Sequence, residues 1–166
     1  MRILGIDPGT MILGYGVIDS QGDSIALVAY NALKCRSRSS MGERLLFLYC
    51  SLCEVIKEYK PDEIAIETPF VADNARTALA IGKAQAIALL AAASNSVPAF
   101  EYSPTAIKYN AASYGASSKA QVQEMVRLQL NLKEVPTPAD CSDALAAAIC
   151  HSRQSHLNNL TGGKQK

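Results

Sequence analysis

Residues 2–10 read Arg2-Ile3-Leu4-Gly5-Ile6-Asp7-Pro8-Gly9-Thr10. From Ile3 to Ile6 the run is nearly continuous in apolar residues, which suits a central strand buried on both faces. Asp7-Pro8-Gly9 ends it with turn chemistry. A carboxylate directly after such a strand is costly unless it is paired or holds a cation. The stretch therefore predicts a buried sheet and, at one edge of it, a charged site.

Outward from it, Leu13 to Asp19 and Ser24 to Leu33 read as two more strands, joined by a hairpin turn at Gln21-Gly22-Asp23. Met41 to Tyr59 is helical: Met41, Leu45, Leu48, Tyr49, Leu52, Ile56 and Tyr59 fall on one stripe, while Glu54, Lys57 and Glu58 face out. Pro61-Asp62 breaks the chain before a fourth strand, Glu63 to Glu67. Asn74 can cap a long helix to about Ser94, and Val97 to Glu101 is a short fifth strand. A short helix follows from Pro104 to about Asn110. Ser118 with Gln121 makes a capping box for a helix over Lys119–Asn131. Pro138 or Ala139 opens a last helix to about Arg153. Three antiparallel strands followed by parallel crossovers predict an α/β domain, one mixed five-stranded sheet with helices on both faces. The domain is expected over residues 1–155, with a flexible C-terminal tail over 156–166.

The chain has 166 residues, 49% hydrophobic and 19% charged, so one globular domain with a real core is expected. Its net charge of +1 means that any surface for nucleic acid must come from local clustering of Lys and Arg. Cys35, Cys50, Cys53, Cys141 and Cys150 are an odd number and do not read as a disulfide framework. The Cys50/Cys53 pair lies inside a helix with no second pair, which points to small semi-buried residues rather than zinc or redox chemistry. The longest unbroken apolar run, Ala86–Ala93, has eight residues, against about 18–20 for a membrane span. With no secretory leader visible before Asp7, the expected location is cytoplasmic, without a membrane partner. The same Ala-rich run makes the helix apolar all round. Its second cover is expected to be another copy of the chain, giving a homodimer.

Asp7 and Glu67 each end an apolar strand. If those strands are parallel neighbours, both carboxylates sit at the carboxyl edge of the sheet, where α/β proteins bind ligands. Asp140 and Asp143, three apart on a helix, share a face. Like charges at that spacing repel, and a cation between them makes the arrangement natural. Oxygen donors without His or Cys favour Mg²⁺ or Mn²⁺ over zinc. Several carboxylates around two such ions can activate water and stabilise a leaving oxygen in phosphodiester cleavage. Taken singly, each acid could equally be a surface residue, and Asp140 could be an ordinary acid of a first helical turn.

At these residues the chain resembles the RuvC Holliday junction endonucleases over about residues 1–154. The likeness rests on Gly5-Ile6-Asp7-Pro8-Gly9-Thr10, Gly14-Tyr15-Gly16-Val17-Ile18, Ala65-Ile66-Glu67 with Phe70, Asn74-Ala75, Gly115-Ala116-Ser117-Ser118-Lys119, and Ala139-Asp140-Cys141-Ser142-Asp143-Ala144-Leu145-Ala146. The resemblance implies an RNase H-like fold and a homodimeric, structure-selective endonuclease. Such an enzyme nicks two strands of like polarity in a four-way DNA junction, at short T-rich sites, during recombination and repair. It implies two Mg²⁺ per active site, with Mn²⁺ as a substitute, and a branch-migration motor complex of the RuvAB type as partner.

The same resemblance makes Asp7, Glu67, Asp140 and Asp143 the metal ligands, with Asp7 touching both ions. Lys119 would lie near the scissile phosphate and Lys108 would be a second lysine of similar character. Phe70 would stack on unpaired bases at the junction. Arg76, Lys83 and the Lys34, Arg36, Arg38 group are candidate phosphate contacts, although a solvated face explains them as well. A non-catalytic nucleic-acid binder with a degenerate nuclease site is set aside because the acid set is intact, and two further classes are weighed. One is an RNase H-like nuclease on another nucleic acid. The other is an actin-like ATPase, whose phosphate loop resembles residues 5–10 but whose second domain has no counterpart in a chain of this length.

Overall fold

The computed structural model describes residues 1–68, 75–112 and 118–160, and for 75, 76, 112, 159 and 160 the backbone only. The chain runs β1 (Arg2–Asp7), β2 (Ile12–Gln21), β3 (Ser24–Lys34), α1 (Met41–Tyr59), β4 (Glu63–Glu67), α2 (Ala75–Ser94), β5 (Ala99–Tyr102), α3 (Pro104–Ala112), α4 (Lys119–Gln129) and α5 (Ala139–Leu160). The sheet order is β3-β2-β1-β4-β5. β1, β2 and β3 are antiparallel neighbours, while β4 runs parallel to β1 and β5 parallel to β4. This is the expected mixed five-stranded sheet.

β1 lies at the centre, and its alternation divides the core. Leu4 and Ile6 join Leu13, Tyr15, Val17, Ile64 and Ile66 under α1 and α2. Ile3 faces the other way, with Ile18, Ala65 and residues of α3, α4 and α5. On that second face α5 comes unusually close. A Cβ at Gly5 would run into the backbone of Ala144, one at Gly14 into the backbone of Asp140, and one at Gly16 into the side chain of Leu145. Gly5 pairs with Gly16 and Asp7 with Gly14 across β1 and β2. The glycines thus form a flat floor for the small residues Ala144, Ala147 and Ala148, all fully buried.

The capping box of Ser118 and Gln121 is present as expected, and a second one, Ser40 with Glu43, opens α1. Gly22 takes a left-handed conformation in the β2–β3 turn. Most boundaries shift by one or two residues, β2 for example running Ile12–Gln21, and three shifts matter here. β5 is Ala99–Tyr102 rather than residues 97–101. α4 stops at Gln129, two residues short of Asn131. α5 runs on past Arg153 to Leu160, so the expected boundary at 155/156 falls inside a helix. No Gly or Pro interrupts residues 154–160, and His156 makes an ion-pair contact with Asp23 on the β2–β3 turn. Residues 161–166, and the proposed cap Asn74, lie outside the described residues.

Of the Cys50/Cys53 pair, expected to be semi-buried, Cys53 is half-buried and turns to Ser94 and Asn95 at the end of α2, whereas Cys50 is exposed. Although its unbroken apolar run is short, α2 over Thr77–Ser94 is long and apolar enough on average to match a membrane span. Part of that surface covers α1 and the sheet, through Ala84, Ala88, Ala91 and Ala92. Leu79 and Leu90 remain exposed on α2, as do Ala86 and Ala93.

Candidate active site

Three elements deliver four acids to one edge of the sheet. Asp7 is the last residue of β1 and Glu67 the last of β4, and the parallel register that pairs Ile6 with Ile66 sets them side by side. Because Ile6 and Ile66 face α1 and α2, the strand alternation turns Asp7 and Glu67 toward α5. The start of α5 supplies Asp140 in its first turn and Asp143 three residues on. Gly14, opposite Asp7, is what lets the Asp140 backbone settle there. Thr68 fixes the segment after Glu67, donating both its N–H (2.8 Å) and its hydroxyl (3.1 Å) to the Tyr102 carbonyl.

The electrostatics of the cluster are unfavourable as it stands. Burial pushes Asp7 from 3.8 up to about 8, and the neighbouring carboxylates of Glu67, Asp143 and Asp140 add to the rise. Glu67 rises from 4.5 to about 7, again through burial first and then through Asp143. Lys119, at the start of α4, supplies the local positive charge. Its Nζ lies 2.6 Å from Asp143 Oδ2 and is held protonated by that contact, with help from Asp7 and Asp140. The Lys119 side chain is 64% exposed, so the ammonium reaches in from solvent rather than being built into the core. Lys108, on α3, is the weaker neighbour: its charge favours ionised Glu67. Glu67, Lys108, Lys119 and Asp143 line a cavity of about 210 Å³ over Ile107, Val122 and Ala146.

Among the described residues no three Asp, Glu, His or Cys side chains enclose an ion position as they stand. Asp143 is turned onto Lys119. The donor set nevertheless fits a hard divalent cation, since all the donors are carboxylate oxygens. The ammonium already standing among them marks where positive charge is favoured.

The sequence expectation thus has Asp7, Glu67, Asp140, Asp143, Lys119 and Lys108 brought together. Phe70 lies outside the described residues, and Arg76 is placed only as a backbone position in the first turn of α2. What the sequence reading missed is the supporting role of Gly5 and Gly14. The signal was present, because glycine inside a strand marks close backbone approach.

A sequence profile of the crossover junction endodeoxyribonuclease RuvC matches residues 3–151. The RuvC of Dehalococcoides mccartyi is 53% identical over 160 residues, spanning 96% of each chain. This chain belongs to the RuvC family. The RuvC of Desulforamulus reducens is 48% identical over 166 residues, the whole of both chains. Thermus thermophilus RuvC superposes with a TM-score of 0.87 at 32% identity, covering 95% of this chain and 97% of that one. The same protein solved with a Holliday junction substrate gives 0.89 at 31% identity, over 95% and 96%. The fold of this RuvC-family chain is RNase H-like, and the chain is a metal-dependent nuclease of the crossover junction endodeoxyribonuclease class.

Proposed function

We propose that this enzyme resolves four-way DNA junctions in recombination and repair. It works in the cytoplasm as a homodimer that hydrolyses one phosphodiester in each of two strands of like polarity. Asp7, Glu67, Asp140 and Asp143 hold two divalent ions, Mg²⁺ with Mn²⁺ as a substitute. The observation that carries the assignment is the convergence of four acids from β1, β4 and α5, with Asp7 held at about 8 by burial and like charge. Structural acids are placed so that their charge is met; here Lys119 meets Asp143, while Asp7 and Glu67 are pushed up by burial and like charge.

A divalent metal pair held by these four acids would supply activation of a water and neutralisation of charge at the leaving oxygen. The protein's own part is positional. Asp7, central among the acids, is repelled by each of the other three and is therefore suited to touch both ions. Asp140 and Asp143, at the start of α5, approach it from the helix, and Glu67 from the neighbouring strand β4. Lys119 and Lys108 stand on the open side, where an ammonium can hold a phosphate oxygen and steady its growing charge. Phe70 and Arg76 are proposed as further DNA contacts, as base stacker and phosphate ligand.

Selectivity for a branched substrate has to arise beyond this cluster, because the carboxylates act on any phosphodiester laid over them. The exposed Leu79, Ala86, Leu90 and Ala93 of α2 repeat at helical spacing and support a second copy of the chain as their cover. A dimer presents two active sites, which matches two symmetric nicks. A branch-migration motor complex of the RuvAB type is the proposed partner on the junction.

The deciding experiment compares nicking of four-way, flap and linear DNA in Mg²⁺, side by side, with junctions carrying varied T-rich centres. Paired nicks confined to the four-way substrate are expected. Equal cutting of linear DNA or RNA would move the enzyme to another substrate class.

A further inference from the structure

Beside the acidic site, the same edge of the sheet carries a group of cations with no acidic partner among the described residues. Ile12 pairs with Lys34 across β2 and β3, two residues beyond the Asp7–Gly14 pair and past the carboxyl end of β1. Cys35 donates its N–H to the Met11 carbonyl at 2.9 Å, which ties the start of the 35–40 loop to the loop after Asp7. From the opposite face α1 sends Arg44 over this edge. Lys34, Cys35, Arg36, Ser39, Arg44 and Phe47 line an open cavity of about 300 Å³, together with Glu43. Glu43 is already engaged, accepting the Ser40 N–H as the second half of the α1 capping box.

Arg44 is the unusual member. Its Nη1 donates to the thioether sulfur of Met11, a weak acceptor. Its Nε is buried without any partner, the single such side-chain nitrogen or oxygen among the described residues. Neither Arg44 nor Lys34 nor Arg36 makes an ion pair among the described residues. An arginine built only to brace a loop is expected to find carbonyls or a carboxylate. Arg127 and Arg153 of this chain do so: Arg127 pairs with Glu124 and the Leu132 carbonyl, and Arg153 donates to Asn110 and Gln129. Parked on sulfur, the Arg44 fork is free to be exchanged for a stronger acceptor at little cost. The ligand with the right chemistry is a phosphate diester, which takes two parallel N–H bonds from a guanidinium.

We propose that Arg44, with Lys34 and Arg36, forms a second phosphate site that grips the DNA strand to one side of the cut. Lys34 lies two strands across from Asp7 and two residues along, which is about 12 Å at ordinary strand spacings. At about 3.4 Å of axis per nucleotide, the gripped phosphate is about two to four nucleotides from the scissile one. Lys34 also bears electrostatically on Cys141, the neighbour of Asp140, so the two sites adjoin. The site rests on the assignment of this enzyme as a DNA nuclease and adds to it where along the strand the protein holds on.

The test is junction binding without metal, measured as a function of salt, for the wild type, Arg44→Gln, Arg44→Lys and Lys34→Gln. It is repeated on junctions carrying one neutral methylphosphonate at each position within five nucleotides of the cut. Arg44→Gln is expected to weaken binding about tenfold and to lower the slope of log K against log salt by about one. Arg44→Lys should keep the slope while losing part of the affinity. In the wild type, one methylphosphonate two to four nucleotides from the cut should weaken binding; in Arg44→Gln the same substitution should cost nothing more. A loop strut would lower stability but leave the salt slope and the methylphosphonate pattern intact, and that result overturns the proposal. If the wild type nicks the junction while Arg44→Gln keeps the full slope, the second site fails and the nuclease assignment stands. If the wild type neither binds nor nicks it, both fall.

Discussion

Glu63 and Glu67 open and close the same strand, and both face the same helix, yet they live under opposite rules. Glu63 accepts a hydrogen bond from Nε2 of His151 on α5, and His151 Nδ1 in turn meets the Tyr102 hydroxyl at 2.6 Å. One imidazole thus links both, one through each ring nitrogen. One residue further along α5, Ser152 Oγ and Ser20 Oγ meet at 2.7 Å. Near the start of the helix Glu67 faces Asp7 and Asp143, and Lys119 offsets the cluster only in part. The pairing of buried polar groups at one end holds α5 to the sheet. That anchorage is what allows like charges at the other end to stay together without springing apart. Unmet charge on a rigid support marks the reactive end.

The sharpest way to break this contrast is Asp7→Asn. Nicking should fall by about a thousandfold or more, since the residue proposed to touch both ions is lost. The metal-free protein, by contrast, should become more stable. At pH 8 its melting temperature should rise by about 3–6 °C, or about 1–2 kcal/mol, because a buried like charge has been removed. Thermal unfolding with and without Mg²⁺ checks both halves. A variant that loses stability and also keeps cutting would show that Asp7 is a structural acid.

At the satisfied end the same kind of change should do the reverse. His151→Ala strips partners from the Tyr102 hydroxyl and the Glu63 carboxylate, and it empties a site packed against Phe100 at 4.7 Å between ring centroids. The expected cost is about 2–3 kcal/mol, seen as a melting temperature lower by about 5–10 °C. The fraction that stays folded should nick within about threefold of the wild type. An unchanged melting temperature would show that the network contributes nothing.

The pH dependence of the metal-free protein should carry the signature of the unmet end. Asp7 and Glu67 have folded values near 8 and 7, above their ordinary 3.8 and 4.5. An acid whose value is raised on folding adds stability that is fully present below its ordinary value and is lost as pH rises through the raised one. Stability should therefore decline by about 1–2 kcal/mol between pH 4 and pH 8. The surface acids Asp19, Glu43 and Glu124 are shifted downward by their hydrogen-bond partners, so their contribution has the opposite sign and is lost as pH falls through the acidic range. Urea unfolding across that range tests the slope, and millimolar Mg²⁺ should flatten it.

How much of this was legible beforehand differs between the two ends in a physical way. The strand pattern around residues 3–7 announced the central strand, and an acid after it announced a charged edge. Both needed only local hydrophobicity and turn chemistry. The Ser118–Gln121 box could be read for the same reason. The His151–Glu63–Tyr102 network could not, because it joins residues up to 88 apart in sequence and carries no local spacing. The place of Arg44 was not legible either, since only the fold brings it against Met11, 33 residues away. The extension of α5 to Leu160 was hidden by polar composition: Ser, His and Asn are indifferent helix formers, and the contact of His156 with Asp23 depends on the β2–β3 turn.

The smallest expected effect is also the one that reads the unmet end most directly. Lys119 holds Asp143 at 2.6 Å and lowers the burden on Asp7 and Glu67, so the ammonium and a divalent ion draw on the same oxygens. Two cations that share ligands oppose each other's binding, and linkage makes the opposition reciprocal. In Lys119→Gln the DNA-free protein should bind Mn²⁺ about three to ten times more tightly, a gain of about 1 kcal/mol, read by electron paramagnetic resonance or calorimetry. Lys108→Gln should show less, because Lys108 favours Glu67 without an ion pair to either α5 acid. Nicking by Lys119→Gln should nonetheless fall, since the same ammonium is then missing beside the phosphate. Tighter metal with slower cutting separates a lysine that waits among the acids from one that merely shields them. If metal affinity falls along with cutting, Lys119 orders the carboxylates rather than competing for them.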